Sequence, residues 1–264
     1  MTIGIPAGVA LPELAGTQLV AFVLVLGRVA PLFALAPVLS SPLLSSRAKF
    51  LAAAGLALAL TPIASHGQAI PTDPIGFALT LAREIGVGLA FALALGVINA
   101  AIQAGTSLAD TTVGFSFGAL IDPVSGVQNA VIGQVYMLFA TMVFLLSGGV
   151  RLMIMGLART YDLVPLGAMP STRTLAALAI HGLEQVPVVG FELVAPVLLA
   201  ILVADAAFGL LARTVPQMNV LVVGLPLKVL LAFAVVAVSL PVVNTAVRDD
   251  LTSTLSQTLS AFSH

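Results

Sequence analysis

The chain has 264 residues, of which 59% are hydrophobic and 8% charged, with a formal net charge of −1 and no cysteine. A soluble domain carries about 25% charged residues to wet its surface, so an ordinary water-soluble fold is excluded. The missing cysteines exclude disulfides, thiolate metal sites and cysteine nucleophiles together, and the near-neutral charge gives no electrostatic case for nucleic acid.

Apolar runs of bilayer length recur along the chain: Leu19–Leu39, Leu51–Ala64, Ile85–Ile102, Val131–Leu146, Val188–Leu211 and Asn219–Val243. A hydrocarbon core roughly 30 Å thick needs about 20 such residues per helix, so the second run requires flanking residues to span. Open sheet edges find no water inside lipid. The pattern predicts an all-α polytopic membrane protein with about six hydrophobic helical segments, kinked helices and a re-entrant, plug-like loop. The leader Met1–Gln18 holds Glu13 and no Lys or Arg, whereas a secretory signal opens on a basic region. The first segment is expected to be retained as a helix.

The first helix is expected to end near Pro37, ahead of the breaker cluster Ser40–Ser46. Arg47 and Lys49 open a second helix that runs toward Pro62. Pro71, Asp73 and Pro74 mark the next turn, with Asp73 placed where a helix dipole favours a carboxylate. Ile75–Gly105 is longer than a bilayer needs and reads either as one tilted helix or as an interfacial turn leading into a span. Gly105–Gln134 is the most irregular stretch, with five glycines, two aspartates, one proline and no Lys or Arg. Arg159–Pro187 reads as a loop. Val188–Val243 reads as a helical hairpin turning near Arg213–Gln217, and Arg248–His264 as a short amphiphilic tail. Alternation through six spans puts Arg47, Lys49 and Arg213 on one side and Arg151, Arg159, Arg173 and Arg248 on the other, too even for a positive-inside bias. Tryptophan is absent and tyrosine occurs only at Tyr136 and Tyr161, so the usual interfacial aromatic belt is missing. Either the belt is simply not used, or much of the hydrophobic surface faces protein instead of lipid.

No motif supports catalysis. Gly114-Phe115-Ser116-Phe117-Gly118 matches G-x-S-x-G, but a nucleophile elbow needs a strand-to-helix turn with a downstream acid and histidine. The glycines four apart suit close helix approach equally well. His66, His181 and His264 are scattered without metal-ligand spacing, and no phosphate-binding G-x-x-x-x-G-K-[ST] loop occurs. No catalytic, metal or cofactor site and no cofactor are expected. Charges at membrane depth cost roughly 2.5–3.5 kcal/mol each, which singles out Arg28, Arg83, Glu84, Glu192, Asp205 and Lys228. They suit a proton relay through Glu84, Glu192 and Asp205 in a secondary transporter, or interhelical pairing such as Glu84 with Arg28 and Asp205 with Lys228. Adjacent Arg83 and Glu84 point in different directions. Within the irregular stretch, Phe115, Phe117, Leu120 and Ile121 are too apolar for a wet loop. Gly118, Asp122, Pro123 and Gly126 are too disruptive for a plain helix. Such backbone is tolerated at membrane depth only when packed in protein or lining a cavity, as a plug or gate would be; a mobile connecting loop is the alternative.

Asp122-Pro123-Val124-Ser125-Gly126 with Gly133-Gln134 resembles the signature region of the FliR family of flagellar type III export-gate proteins. So does Asp205-Ala206-Ala207-Phe208-Gly209-Leu210-Leu211-Ala212-Arg213, which continues through Pro216-Gln217-Met218-Asn219-Val220 to Gly224-Leu225-Pro226-Leu227-Lys228. Gly27-Arg28-Val29, Ala36-Pro37-Val38 and Arg83-Glu84-Ile85-Gly86-Val87-Gly88 fit in the same order. The resemblance implies a non-enzymatic channel subunit in one 1–264 unit: residues 1–187 FliP-like with a plug segment over 106–130, 188–243 a FliQ-like hairpin, and 244–264 a tail. It implies FliP-like and FliQ-like partner subunits, an FlhB-like switch protein, unfolded flagellar subunits as transported substrate, and contact with membrane lipid in the bacterial inner membrane at the flagellar basal body. Phe115–Gly126 would contribute to the plug, and Asp205, Arg213 and Lys228 to assembly, with Arg28, Arg83 and Glu84 as further intramembrane charges. The related injectisome family, SctT, shares the architecture and is the alternative system.

Overall fold

The computed structural model describes residues 11–41, 44–65, 73–115, 130–168, 170–215 and 220–262. Among these residues there are seven α-helices and no strand: α1 (Leu11–Leu35), α2 (Ser46–Ala64), α3 (Pro74–Val113), α4 (Val131–Leu146), α5 (Gly149–Leu163), α6 (Thr172–Thr214) and α7 (Val220–Phe262). Five are long and apolar enough to cross a membrane, and the bent pair α4–α5 makes a sixth if it counts as one span. The expectation of an all-α polytopic membrane protein is met.

Local chemistry sets the helix ends. Ser45 caps α2 by accepting from the Ala48 N–H at 3.2 Å, and Asp73 opens α3 by accepting from the Gly76 N–H at 2.6 Å. Gly114 ends α3 at φ +109°, a conformation that an L side chain resists. Gly148, at φ +74°, breaks α4 from α5.

Three segments differ from the sequence expectation. Ile75–Gly105 is neither interrupted nor ended at Gly105: α3 runs 40 residues to Val113. The hydroxyls of Thr106, Ser107, Thr111 and Thr112 donate to carbonyls of the same helix, so they no longer compete with it. The stretch read as a loop before Pro187 is helical from Thr172, with the Ser171 hydroxyl accepting from the Thr174 N–H at 3.1 Å. His181 therefore lies on a helix. The tail is helical to Phe262, because Val243, Val247, Leu251, Leu255 and Phe262 recur at helical spacing and are buried.

The helices divide into two packing units, and α3, α6 and α7 contribute to both. One unit takes Met1–Leu95, Arg151–Ala179 and Thr254–His264 through their described residues. Its core joins Leu24, Val25 and Leu32 of α1, Phe91 and Leu95 of α3, Met153 and Leu157 of α5, and Leu255 and Phe262 of α7. The other takes Gly96–Val150 and Ile180–Ser253. It buries Ile98 and Ile102 of α3, Ile132, Tyr136 and Phe144 of α4, Leu193 and Ile201 of α6, and Val236 and Val243 of α7.

Candidate functional site

Three charges of the first unit, Arg28, Arg83 and Glu84, converge on one site. Arg28 of α1 and Glu84 of α3 are both fully buried. Arg28 Nε donates to Glu84 Oε2 at 2.7 Å and Nη2 to Oε1 at 3.2 Å. Nη1 donates to the Val164 carbonyl at 2.9 Å, the Thr160 carbonyl at 3.2 Å and Thr160 Oγ1 at 3.3 Å. The guanidinium carbon lies 4.2 Å from the centroid of the Tyr161 ring, whose face attracts a cation. Glu84 Oε1 accepts a second bond from the Gly167 N–H at 2.7 Å, and Arg83 donates to the Gly167 carbonyl at 3.2 Å. Adjacent Arg83 and Glu84 thus grip the same turn from different directions, and Gly167 meets them at φ +84°.

Two sequence features make this geometry possible. Gly88 sits one turn beyond Glu84, and a Cβ there would strike the backbone carbonyl of Arg28. With glycine, α1 and α3 approach closely enough for a bidentate bond. Arg28 also places its charge on the final carbonyls of α5, where the helix dipole favours a cation. Burying two ions costs several kcal/mol each, which only close geometry and further hydrogen bonds offset. The cluster supplies both, and its chemical effect is to fix α1, α3, α5 and the 164–167 turn in one register. Both Glu84 oxygens are committed to donors.

The second unit holds a pair of another kind. Lys228 of α7 forms an ion pair with Asp205 of α6 whose side chains are 22% and 44% exposed. Arg213 lies exposed in the last turn of α6, and Glu192 is exposed on the same helix. Asp110, buried near the end of α3, accepts from the Ile132 N–H at 2.9 Å and the Gly133 N–H at 3.2 Å. It caps α4, whose own N-cap residue Ala130 has no side chain to do so. Tyr136 bonds Ser239 at 2.6 Å. Of the residues read as a plug, Phe115 packs edge-to-face on Phe233 with ring centroids 6.4 Å apart. Phe117, Gly118, Leu120, Ile121, Asp122, Pro123 and Gly126 lie outside the described residues. Among the described residues, no group of three or more His, Cys, Asp or Glu is placed to hold a metal ion.

Sequence reasoning offered the pairing of Glu84 with Arg28 and of Asp205 with Lys228 as one of two readings of these charges, and the structure brings both pairs together. It missed Thr160, Tyr161, Gly167 and Asp110. Backbone acceptors carry no mark in a sequence, and Asp110 lies 22 residues from the N–H of Ile132 that it caps.

The profile described as bacterial export proteins, family 1, matches residues 19–254. The chain belongs to this family. Within it, the chain is similar to the flagellar biosynthetic protein FliR of Bacillus subtilis, at 32% identity over 66% of this chain and 68% of the relative. It is similar to FliR of Escherichia coli at 28% identity over 82% of both chains. It is also similar to the surface presentation of antigens protein SpaR of Shigella flexneri, at 30% identity over 79% of this chain and 80% of the relative. The FliR resemblance of the sequence holds across most of the chain.

Proposed function

We propose that this member of the family is a non-enzymatic channel subunit of the flagellar type III export gate. With FliP-like and FliQ-like subunits, and beside an FlhB-like switch protein, it forms the entrance pore for unfolded flagellar proteins. Its place is the bacterial inner membrane, at the basal body. The observation that carries this reading is the family match over residues 19–254 with relatives named as flagellar biosynthetic proteins. The span-rich helical architecture and the structural use of the buried charges support it. On this reading 1–187 is a FliP-like part and 188–243 a FliQ-like hairpin. A strain lacking the gene makes hook and filament subunits yet fails to export them, and the plasmid-borne chain restores export. Normal export and swimming in that strain would remove the flagellar reading.

A second reading, an injectisome export-gate subunit, is favoured by the SpaR relative, which matches a similar share of the chain as the flagellar ones. It predicts that the deletion spares motility and abolishes secretion by that system. A proton-coupled transporter is a third class and requires solute uptake by the purified chain alone.

Two residue assignments follow from the export reading. Phe115, Phe117, Gly118, Leu120, Ile121, Asp122, Pro123 and Gly126 contribute to a plug that closes the resting pore. Gly118→Trp or Gly126→Trp should therefore raise small-ion leakage or block export while the protein still accumulates; parental leakage and export in both variants would count against it. Asp205, Arg213 and Lys228 are assembly contacts, so Asp205→Ala should reduce the yield of intact complex on purification. An undiminished complex removes that role.

A further inference from the structure

The exposed side of α3 changes chemistry partway along the helix. Its exposed residues follow one another at intervals of three and four: Ile75, Leu79, Ala82, Leu89 and Leu93, then Ala100, Gln103, Ser107 and Thr111, with half-exposed Gly86 and Gly96 completing the series. Up to Leu93 the large side chains on this seam are aliphatic, joined by the neighbouring Ile85. Beyond it, the exposed residues are Ala100, Gln103, Ala104, Ser107, Thr111 and Thr112, with Leu108 as the one large apolar exception. The apolar part, from Ile75 to Leu93, rises about 27 Å at 1.5 Å per residue, close to a hydrocarbon core of roughly 30 Å.

The polar part is unusual in its chemistry. The hydroxyls of Ser107, Thr111 and Thr112 donate to carbonyls of their own helix, an arrangement that lipid also tolerates. The carboxamide of Gln103 decides between environments, because the residue is exposed and hydrocarbon offers nothing to its two donors and its acceptor. The outer face of a helix in open solvent usually mixes polar residues with charged residues. Between Glu84 and Asp110 α3 has none, and both of those are buried. The face is therefore polar yet holds no fixed charge of either sign.

We infer that the Gln103–Ser107–Thr111 seam of α3 lines a confined, water-filled passage, and that the Ile75–Leu93 seam faces apolar surroundings. A neutral polar wall keeps water in the passage and gives no charged side chain on which an extended polypeptide of arbitrary sequence would stall. This deepens the export reading and rests on it for what travels through the passage. The location of the water does not.

The chain has no cysteine, so single substitutions report without background. Leu79→Cys, Leu89→Cys, Leu93→Cys, Gln103→Cys, Ser107→Cys and Thr111→Cys are expressed in the full chain with its native partner subunits. Membranes are treated with a small charged thiosulfonate, or with a maleimide bearing a bulky polymer. The small reagent should modify the three polar positions at least about tenfold faster than the three leucine positions, since accessible thiolate sets the rate, and the bulky reagent should modify none of the six. Labelling after denaturation counts the protein, and Ala100→Cys or Ala104→Cys replaces any variant that does not accumulate. Equal rates at leucine and polar positions would overturn the boundary. Reaction of the polar positions with the bulky reagent would make the face open solvent, and their silence until denaturation would make it a dry contact; either overturns the passage. Labelling requires no export, so the seam and the export reading can fail separately.

Discussion

Arg28→Ala should destabilise the protein by about 3–5 kcal/mol, the cost of breaking a buried ion pair by removing one partner. The carboxylate of Glu84 would keep only the Gly167 N–H, and the carbonyls of Thr160 and Val164 would lose the cation now bonded to them. Glu84→Gln should cost less, about 1.5–3 kcal/mol, because glutamine keeps the shape and one acceptor. The Arg28 guanidinium in that variant retains Thr160, Val164 and the Tyr161 ring. Arg28→Ala with Glu84→Ala should destabilise less than the sum of the two single alanine variants, by about 0.5–3 kcal/mol of coupling. Denaturant unfolding of the purified protein in detergent measures all four variants. An Arg28→Ala variant within about 0.5 kcal/mol of the parent, the range of an ordinary surface substitution, would show that the cluster does not hold the unit together.

Gly190→Val should prevent the second unit from packing. In the crossing of α3 and α6, a Cβ on Gly190 would lie 2.6 Å from the Ala101 carbonyl oxygen and 3.2 Å from the Gly105 nitrogen, and one on Gly105 would strike the Gly190 carbonyl. Backbone cannot rotate away as a side chain can, so the helices must separate along their contact. Overpacking of a well-filled core costs typically about 1–3 kcal/mol, and two branched methyl groups against backbone belong at or above the upper end. Replacing glycine in a helix by alanine gains about 1 kcal/mol where space is free. The sign of Gly→Ala therefore separates position from propensity: Gly190→Ala and Gly105→Ala should destabilise. Gly55→Ala and Gly209→Ala, where a Cβ meets nothing within 4 Å, should be neutral or stabilising. Melting temperatures of the four alanine variants in detergent test this, and a stabilised Gly190→Ala would refute the close crossing.

The cysteine-free, charge-poor composition and the bilayer-length apolar runs were enough to read a helical membrane protein, because hydrocarbon allows a chain few ways to satisfy its backbone. Val131–Leu146 was legible to the residue, being predominantly apolar between a polar segment and a Ser-Gly-Gly break. Helix ends at polar residues were harder to read. Thr106–Thr112 looks like loop chemistry until its hydroxyls are seen bonded within α3. Thr172–Pro187 carries Arg, His and Glu in a pattern that suggests solvent, yet Leu175 and Leu178 pack on the first core.

Among the charges, the sequence could say that Arg28 and Glu84 need partners, since an isolated buried ion is costly, and charge sign suggested one another. It could not say that the pair also grips Val164 and Gly167, because every residue offers a carbonyl and nearly every residue an N–H. Nor could it distinguish that fully buried pair from the half-exposed Asp205–Lys228 pair, since burial depends on what packs above a side chain. The sequence by itself thus determined class, the approximate number of membrane spans and the residues obliged to find partners. Only the tertiary structure decided which partners they found, that Asp110 caps a helix across 22 residues, and which glycines are crossing points. Each of those depends on distances between segments remote in the chain, and hydrophobic periodicity, which repeats within a helix, carries no record of them.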